Sequence, residues 1–302
     1  MDHPAFESIP SLQEALRRRN YIADRGLVTS IYLAVRLGRP LFLEGEAGVG
    51  KTEVAKVLKD VLGADLIRLQ CYEGLDVNQA VYEWNYSRQM LHIRVQEARG
   101  EKIEEEDLFG PDFLLRRPLL QAISYPGDVP PVLLVDEIDR SDEEFEAYLL
   151  ELLSDFQITI PEIDTIRADR PPVVVITSNR TREIHDALKR RCLYYWIDYP
   201  TFEKELEIIR AKVPQASGEL SRQVTAFVQD LRRADLYKLP GVAETLDWAT
   251  ALAALDQAAL SREMVADTLG VILKYQDDVE KVAGDTLAAI LERVMDGRAA
   301  TQ

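Results

Sequence analysis

The 302-residue sequence predicts an α/β fold with a parallel five-stranded sheet, followed by a second domain that contains only helices. Two observations carry the first part of this prediction: short apolar runs recur before residue 200, and helical patterns separate them. Runs rich in Val, Ile and Leu are typical of strands that are buried on both faces. The third observation is that only helical periodicity follows Pro200. We therefore expect domains over residues 1–200 and 201–302.

The elements are predicted in chain order from their boundary residues. A first helix opens at Ser11, which has Glu14 at the spacing of a capping box, and a second ends at Gly38. The later helical segments lie between strands, as the right-handed crossovers of a parallel sheet require. The five predicted strands are Pro40–Glu44, Asp65–Gln70, Val132–Asp136, Val173–Thr177 and Leu193–Ile197.

The composition excludes several classes of protein. The net charge is −16, and such an acidic chain repels both duplex nucleic acid and anionic membranes, which basic residues normally bind. Cys71 and Cys192 stand far apart without a CxxC spacing, which excludes a disulfide framework, and the three histidines form no metal-ligand pattern. The sequence lacks an apolar segment of signal-peptide or transmembrane length. We therefore expect a cytoplasmic protein that neither binds nucleic acid nor inserts into a membrane.

A phosphate-binding loop follows the first predicted strand. The segment GEAGVGKT matches G-x-x-x-x-G-K-[ST] at each fixed position, and a strand precedes it and a helix follows it, as the motif requires. Its glycines let the backbone approach phosphate oxygens, Lys51 is expected to reach the β- and γ-phosphates, and Thr52 to bind Mg²⁺. The predicted nucleotide-binding residues are Gly45, Glu46, Ala47, Gly48, Val49, Gly50, Lys51 and Thr52.

Two adjacent carboxylates, Asp136 and Glu137, stand at the end of the third predicted strand. Asp136 is expected to hold Mg²⁺, and Glu137 to act as the general base that polarises the attacking water. A kinase does not need the second carboxylate, so the pair favours hydrolysis of a nucleoside triphosphate. The alternative, a strand that ends in solvated acids, is weakened by the neighbouring phosphate-binding motif.

Three further polar residues complete the predicted catalytic set, together with Lys51. Asn179 follows the fourth strand, where its amide can orient the attacking water; a turn asparagine that caps the next helix is the alternative. Arg190 and Arg191 end the segment DALKRR, and either can stabilise transition-state charge in a neighbouring subunit. A cationic helix end that complements the helix dipole is the alternative there. An arginine that acts in trans implies a ring, because a heterologous interface can close by rotation.

The order of these motifs resembles that of AAA+ ATPases. In that superfamily the Walker A, Walker B, sensor 1 and arginine-finger motifs precede a helical lid, as GEAGVGKT, VLLVDE, ITSN and DALKRR do here. The longer stretches RLQCYEGLD, DEIDRSDEEFEAYLLELLSDFQITIP and TLGVILKYQDDV resemble the MoxR family. Within it, the chain is most similar to the CoxD-like subgroup, which is encoded with carbon monoxide dehydrogenase maturation genes. The resemblance covers nearly the whole chain.

The resemblance implies properties that residue spacing does not show. It implies an AAA+ P-loop core with a helical lid, ATP and Mg²⁺ in the site, and assembly into a hexameric ring. It also implies a chaperone-like remodeller that acts on a protein client, often with a partner that carries a von Willebrand factor A domain. For the CoxD-like subgroup, the implied client is a molybdenum enzyme whose metal cluster is completed during maturation.

One position departs from the family pattern. Members often place the sensor 2 arginine at the start of a lid helix, where this sequence has Glu244. Either Arg232 or Arg233 is the predicted substitute, or the lid couples weakly to the nucleotide.

An insertion separates the second and third predicted strands. Tyr82, Trp84 and Tyr86 share one face if this segment is extended. We favour a hairpin that packs these aromatics on the core, and a pore segment that grips a polypeptide is the alternative. The acidic run at 101–107 is predicted to be a solvated face and not a metal site.

Two other functions remain as alternatives to an ATP-driven remodeller of a metalloenzyme. One is a DNA-acting AAA+ motor or transcription activator, which the net charge of −16 and the lack of a GAFTGA loop disfavour. The other is a nucleotide-gated assembly module, in which slow hydrolysis times the release of a partner.

Overall fold

The computed structural model describes residues 3–100 and 108–296, so the acidic run at 101–107 lies outside the described residues. The chain divides into two compact units. The first unit comprises Met1–Ala15, Asp24–Glu44 and Thr52–Trp196, and the second comprises Leu16–Ala23, Gly45–Lys51 and Ile197–Gln302.

A five-stranded sheet has the order β2-β5-β8-β1-β9. Strand β2 pairs with β5, β5 with β8, and β8 with β1, all in parallel. Every residue of β1 and β5 is buried, which explains why these strands read as continuous apolar runs. The predicted parallel five-stranded sheet is confirmed. Its strands are β1 Leu41–Gly45, β2 Leu66–Gln70, β5 Val132–Asp136, β8 Val173–Ser178 and β9 Leu193–Ile197.

Helices precede the sheet and connect its strands. Asp24 caps α2 by accepting a hydrogen bond from Leu27 N over 2.8 Å, and Gly38 ends that helix with a φ of 62°. The first helix begins earlier than predicted, at Ile9, because Ser8 and not Ser11 accepts the capping hydrogen bond, from Ser11 N over 3.2 Å. The described helices before residue 192 are α1 Ile9–Arg17, α2 Arg25–Leu37, α3 Lys51–Leu62, α4 Val77–Ala80, α5 Tyr86–Arg99, α6 Pro118–Ile123, α7 Glu143–Asp155 and α8 Asp186–Arg191.

Two antiparallel pairs of strands lie outside the main sheet. Strand β3, Tyr82–Trp84, pairs with β4, Leu114–Arg116, while β6, Gln157–Ile160, pairs with β7, Asp164–Arg167. The predicted packing of aromatics on the core holds for Trp84, which belongs to the hydrophobic core of the first unit, and for Tyr82, which is partly buried against that core.

The prediction for Tyr86 was wrong, because this residue does not continue the alternation of the strand. Asn85 caps a helix by accepting a hydrogen bond from Arg88 N over 3.0 Å, and Tyr86 becomes the first residue of α5. Its side chain is exposed.

The second unit contains the C-terminal helices, and the predicted helical C-terminal part is confirmed. Its core surrounds Trp248 and Phe227, and Trp248 Nε1 donates a hydrogen bond to Thr268 Oγ1 over 2.8 Å. Among the described residues, no helix has both the length and the apolar character needed to cross a membrane. The helices are α9 Phe202–Lys212, α10 Gly218–Leu231, α11 Val242–Ala254, α12 Arg262–Ile272, α13 Gln276–Val282 and α14 Asp285–Met295.

Candidate nucleotide-binding site

The loop between β1 and α3 has the backbone that its glycines predict. Gly48 has a φ of 78° and Gly50 a φ of 95°, values that residues with a Cβ rarely adopt. Lys51 is buried as the first residue of α3, and its Nζ donates hydrogen bonds to Gly45 O over 2.8 Å and to Glu46 O over 2.6 Å. The loop therefore holds a cation beside the amino end of a 12-residue helix, an arrangement that suits bound phosphates.

The amino end of helix α11 packs directly on this loop, within the second unit. Ala243 N donates a hydrogen bond to Gly48 O over 3.1 Å. A Cβ on Gly241 would lie 2.8 Å from Ala47 O, so this approach of two backbones requires a glycine. Glu244, which stands where the family pattern has an arginine, turns back to accept a hydrogen bond from Gly241 N over 3.0 Å.

Arg232, one of the two predicted substitutes for sensor 2, is held in a buried ion pair. It donates to both oxygens of Glu205 over 2.7 Å, and the side chains of Arg232 and Glu205 are 7% and 0% exposed. Arg232 also donates to Pro240 O over 2.8 Å and lies 4.8 Å from the ring centre of Tyr199. Arg233 forms an ion pair with Asp230 over 3.5 Å. Arg232 therefore holds the segment that leads into α11.

The second predicted part of the site lies in the first unit, at the carboxyl end of β5. Thr52 Oγ1 donates a hydrogen bond to Asp136 Oδ1 over 3.0 Å, so the two predicted magnesium ligands are in direct contact. Thr177 Oγ1 donates to the same oxygen over 2.6 Å. The other oxygen, Oδ2, accepts from Arg68 Nε over 3.0 Å and Nη2 over 2.6 Å.

Glu137, the predicted general base, is held from several directions. Its backbone has a φ of 56°, an uncommon left-handed conformation, and its N–H donates to Thr177 Oγ1 over 2.9 Å. Oε2 accepts a hydrogen bond from Gln70 Nε2 over 2.9 Å and lies 3.6 Å from Arg140 Nη1. Oε1 accepts from Asn179 Nδ2 over 3.3 Å. Asn179 thus contacts the carboxylate that the sequence paired it with.

The backbone of Asn179 is fixed by a buried carboxylate. Asp139 accepts hydrogen bonds from Asn179 N over 3.1 Å, from Thr181 N over 2.9 Å and from Thr181 Oγ1 over 2.7 Å. Burial on its own would raise the pKa of Asp139, but the hydrogen bonds from Thr181 and Asn179 outweigh burial and lower it. Asp139 is therefore an ionised anchor for the turn that presents Asn179.

Cys71 lies behind these acids, and its N–H donates to Asp136 O over 2.8 Å. Burial raises the pKa of its thiol to about 12, and the carboxylates of Asp136, Asp139 and Glu137 add to the increase. The thiol is therefore neutral and belongs to the hydrophobic core.

The two arginines at the end of α8 differ in their surroundings. Arg191 Nη1 donates a hydrogen bond to Leu150 O over 2.8 Å. The side chain of Arg190 is 83% exposed, and its ion pair with Asp186 is long, at 3.9 Å. Arg39 Nη2 donates to Arg190 O over 2.8 Å and so holds the backbone at this position. Of the two, Arg190 has the side chain that suits a contact with another subunit.

Sequence patterns did not identify Arg68, Gln70, Thr177 or Asp139 as part of the site. The signal for the first two was present, since Arg68 and Gln70 are polar residues within the strand LIRLQ and share one face of it. Their side chains reach the acids because β2 pairs with β5, with Gln70 opposite Asp136.

The residues present fit ATP and Mg²⁺. Thr52 and Asp136 offer a hydroxyl and a carboxylate, which are hard oxygen ligands of the kind that Mg²⁺ prefers, and water and phosphate oxygens normally complete its shell. Within the described ranges, no group of three or more His, Cys, Asp or Glu side chains could hold a metal on its own. A metal site that needs the nucleotide's oxygens is consistent with both observations.

A comparison with family models agrees with this chemistry. The model of the AAA domain family, dynein-related subfamily, matches residues 40–192, just over half of the chain. RuvB from Thermotoga maritima, a Holliday junction branch migration motor, is 16% identical, with 96% of this chain and 78% of RuvB covered and a TM-score of 0.46. A candidate ATPase from Cytophaga hutchinsonii is 15% identical, with 97% and 95% covered and a TM-score of 0.47. No curated protein matches the chain. These structural similarities are weak, and the family match carries the assignment.

Proposed function

Because the chain belongs to the dynein-related subfamily of AAA domains and is an ATPase that uses ATP with Mg²⁺, we propose that it is an ATP-driven remodeller of a protein client. The proposal has three parts, which are the hydrolytic site, the coupling of that site to the helical lid, and the client.

In the proposed reaction, water attacks the γ-phosphorus of ATP and ADP leaves with the bridging oxygen. Glu137 accepts a proton from the water, while the Asn179 amide, which already contacts Glu137 Oε1 over 3.3 Å, orients that water. The backbone amides of the loop and Lys51 stabilise the charge on the phosphates. Thr52 and Asp136 would hold Mg²⁺, which would further neutralise the charge of the phosphates.

The single observation that carries remodelling is the hydrogen bond from Ala243 N to Gly48 O, over 3.1 Å. It joins the phosphate-binding loop to the first turn of α11. Arg232 reinforces this join, since it holds Pro240 O and Glu205 together beside the start of that helix. A loop that rearranges around phosphates would therefore move a lid helix, which is how hydrolysis can do work on a client.

Assembly into a ring is the second part of the proposal. The exposed side chain of Arg190 supports it, because a positive charge that is held on α8 by no more than a long, exposed ion pair with Asp186 can enter a neighbour's site. We propose a hexamer, following the resemblance to the MoxR family, with Arg190 as the residue that acts in trans.

The client is proposed from the same resemblance. The CoxD-like subgroup points to a molybdenum enzyme of the carbon monoxide dehydrogenase type, matured in the cytoplasm, with a von Willebrand factor A protein as partner. The net charge of −16 supports a protein client over DNA, because a polyanion repels this chain.

The proposal is tested by capturing the client in an ATP-bound state. A tagged Glu137→Gln variant binds ATP but hydrolyses it slowly, so it should retain its client when it is recovered from native extract with ATP and Mg²⁺. Lys51→Ala, which lacks the phosphate contact, serves as the matched blank in the same extract.

A metalloenzyme subunit or a von Willebrand factor A protein that is recovered with Glu137→Gln, and not with Lys51→Ala, is the expected result. Recovery of nucleic acid or transcription proteins instead would overturn the remodelling proposal and leave the ATPase assignment in place. Equal recovery of all proteins with both variants would show that binding does not depend on ATP, which also contradicts it.

A further inference from the structure

Arg68 makes a contact that the reaction described above does not use. Its guanidinium donates two hydrogen bonds to Asp136 Oδ2, over 2.6 and 3.0 Å, from the neighbouring strand β2. The carboxylate is 3% exposed while the arginine side chain is 51% exposed. A half-exposed cation is thus held against the buried acid that is proposed to bind magnesium.

The two oxygens of Asp136 have separate partners. Oδ1 accepts hydroxyl hydrogen bonds from Thr52 over 3.0 Å and Thr177 over 2.6 Å. Oδ2 accepts both hydrogen bonds from the guanidinium of Arg68. This division fixes the rotation of the carboxylate and turns Oδ1 toward Thr52, the other proposed magnesium ligand.

We propose that Arg68 is a positioning residue that orients Asp136 toward Thr52 and limits how strongly Mg²⁺ increases the affinity for nucleotide. The inference rests on the proposed magnesium site. The positive charge of Arg68 opposes the binding of a second cation at the carboxylate of Asp136. The two hydrogen bonds from Arg68 keep that carboxylate in the orientation the site needs. The outcome is an ion held firmly enough for hydrolysis and loosely enough to leave with the product.

A second contact extends the influence of Arg68 to the proposed base. Arg68 Nη2 donates a hydrogen bond to Gln70 Oε1, and Gln70 Nε2 donates to Glu137 Oε2 over 2.9 Å. Side chains on one face of β2 thus connect Asp136, which is proposed to bind the metal, to Glu137, which is proposed to activate the water. A change at Arg68 is expected to reach both.

The test measures binding and not turnover. Calorimetric titration of ADP, with Mg²⁺ or with a chelator at constant ionic strength, gives two dissociation constants. The dissociation constant with chelator, divided by the dissociation constant with Mg²⁺, reports how much the ion adds to nucleotide affinity. In Arg68→Met the ratio is expected to rise about threefold to tenfold, because an unscreened acid attracts the ion more strongly even at a half-exposed site.

Three variants control for other causes. Arg68→Lys keeps the charge and should leave the ratio close to that of the unaltered protein. Arg68→Gln keeps a hydrogen-bond donor without the charge, so it should raise the ratio even if Arg68→Met folds poorly. Arg170→Met removes a similarly exposed arginine, paired with Asp128 over 3.8 Å, and should change nothing.

The possible failures are separable. A ratio unchanged within about twofold in both folded neutral variants would show that Arg68 only joins two strands, and would overturn the inference alone. A ratio near one in the unaltered protein, or one unaffected by Asp136→Asn, would overturn the proposed magnesium site and the inference together.

Discussion

Gln70 Nε2 donates a hydrogen bond to Glu137 Oε2 over 2.9 Å, and joins strand β2 to the carboxylate proposed to activate water. Asn179 Nδ2 holds the other oxygen, Oε1, over 3.3 Å. Hydrogen bonds to both oxygens hold the carboxylate in one orientation. A general base acts only when it lies within hydrogen-bonding distance of the group whose proton it accepts. We therefore expect the two amides to contribute to catalysis by orienting the proposed base.

We expect Asn179→Ala and Gln70→Ala each to lower kcat about tenfold to hundredfold, while KM for ATP changes less than about threefold. The base loses its orientation, but the contacts to the phosphates remain. Steady-state ATP hydrolysis measures both constants. Gln79→Ala, which alters an exposed glutamine bonded to Tyr72, is the matched control. In a Glu137→Gln background both amide changes should add nothing, and additive losses would contradict the shared role.

The two arginines that the sequence left unresolved are predicted to differ in their effects. Arg190→Ala should lower kcat about a hundredfold or more, since a finger arginine contributes strongly to phosphoryl transfer. Arg191→Ala should keep most activity and cost about 1 kcal/mol of stability, the value of its hydrogen bond to Leu150 O.

Mixing two inactive variants tests whether Arg190 acts in trans. Arg190 of a Lys51→Ala chain can complete the nucleotide site of a neighbouring Arg190→Ala chain, whose phosphate-binding loop is intact. A mixture of the two variants should therefore recover part of the ATPase activity. If the mixture stays inactive although the chains assemble together, Arg190 does not act across an interface.

The main sheet could be predicted because its signal is local. Val132–Asp136 and Leu193–Ile197 were predicted with the bounds that the structure shows. Val132–Asp136 is buried throughout and so has a continuous apolar sequence, while Leu193–Ile197, at the edge of the sheet, is a run of aliphatic and aromatic residues that favour strands. The loop residues and Asp136 were predicted for the same reason, because the motif fixes residue types at a fixed spacing.

The contacts of Arg68 and Gln70 could not be predicted from the sequence, because they depend on which strands are neighbours in the sheet. Arg68 and Gln70 contact Asp136 and Glu137 only because β2 lies beside β5, and no local pattern gives the order β2-β5-β8-β1-β9. Tyr86 was placed wrongly because alternation was extended past Asn85, a helix cap whose side chain accepts from Arg88 N. A helix-start signal there outweighs a strand pattern of three residues.

Arg232 is predicted to act on stability more than on nucleotide binding. Arg232→Ala leaves the carboxylate of Glu205 buried without its charged partner, with Gln229 and Thr245 still donating hydrogen bonds to it. The loss should be about 3–5 kcal/mol in the free energy of unfolding. Urea denaturation measures it, with Arg222→Ala as the control, an exposed arginine whose contact with Glu219 is 3.9 Å long. Unchanged stability together with weakened ATP binding would instead make Arg232 a nucleotide sensor.

The two cysteines should be inert while the chain is folded. Burial raises the pKa of both Cys71 and Cys192 to about 12, so at pH 8 about one thiol in ten thousand is a thiolate. An aromatic disulfide reagent should therefore modify neither at a measurable rate in buffer, and two thiols per chain in urea. Rapid modification of one thiol in buffer would show that its surroundings open readily.

Asp139 should make stability depend on pH at the acid end. Hydrogen bonds from Thr181 and Asn179 hold the pKa of Asp139 below its value in the unfolded chain, about 3.9. A lowered pKa contributes stability that is complete above the unfolded value and is lost as the pH falls through the folded value. Its contribution should therefore be constant from neutral pH to about pH 5 and decline below about pH 4.

Asp139→Asn measures that contribution, because the amide has a similar shape but only one oxygen to accept the three hydrogen bonds. At pH 7 the variant should be about 1–3 kcal/mol less stable in urea denaturation, the cost of buried donors without partners. The difference should shrink as the pH falls below about 4, because the unaltered carboxyl becomes protonated first in the unfolded chain and, at lower pH, in the folded chain. Asp164→Asn, at an exposed strand end, is the control. A difference that stays constant down to pH 3 would show that packing, and not the charge of Asp139, holds the turn that presents Asn179.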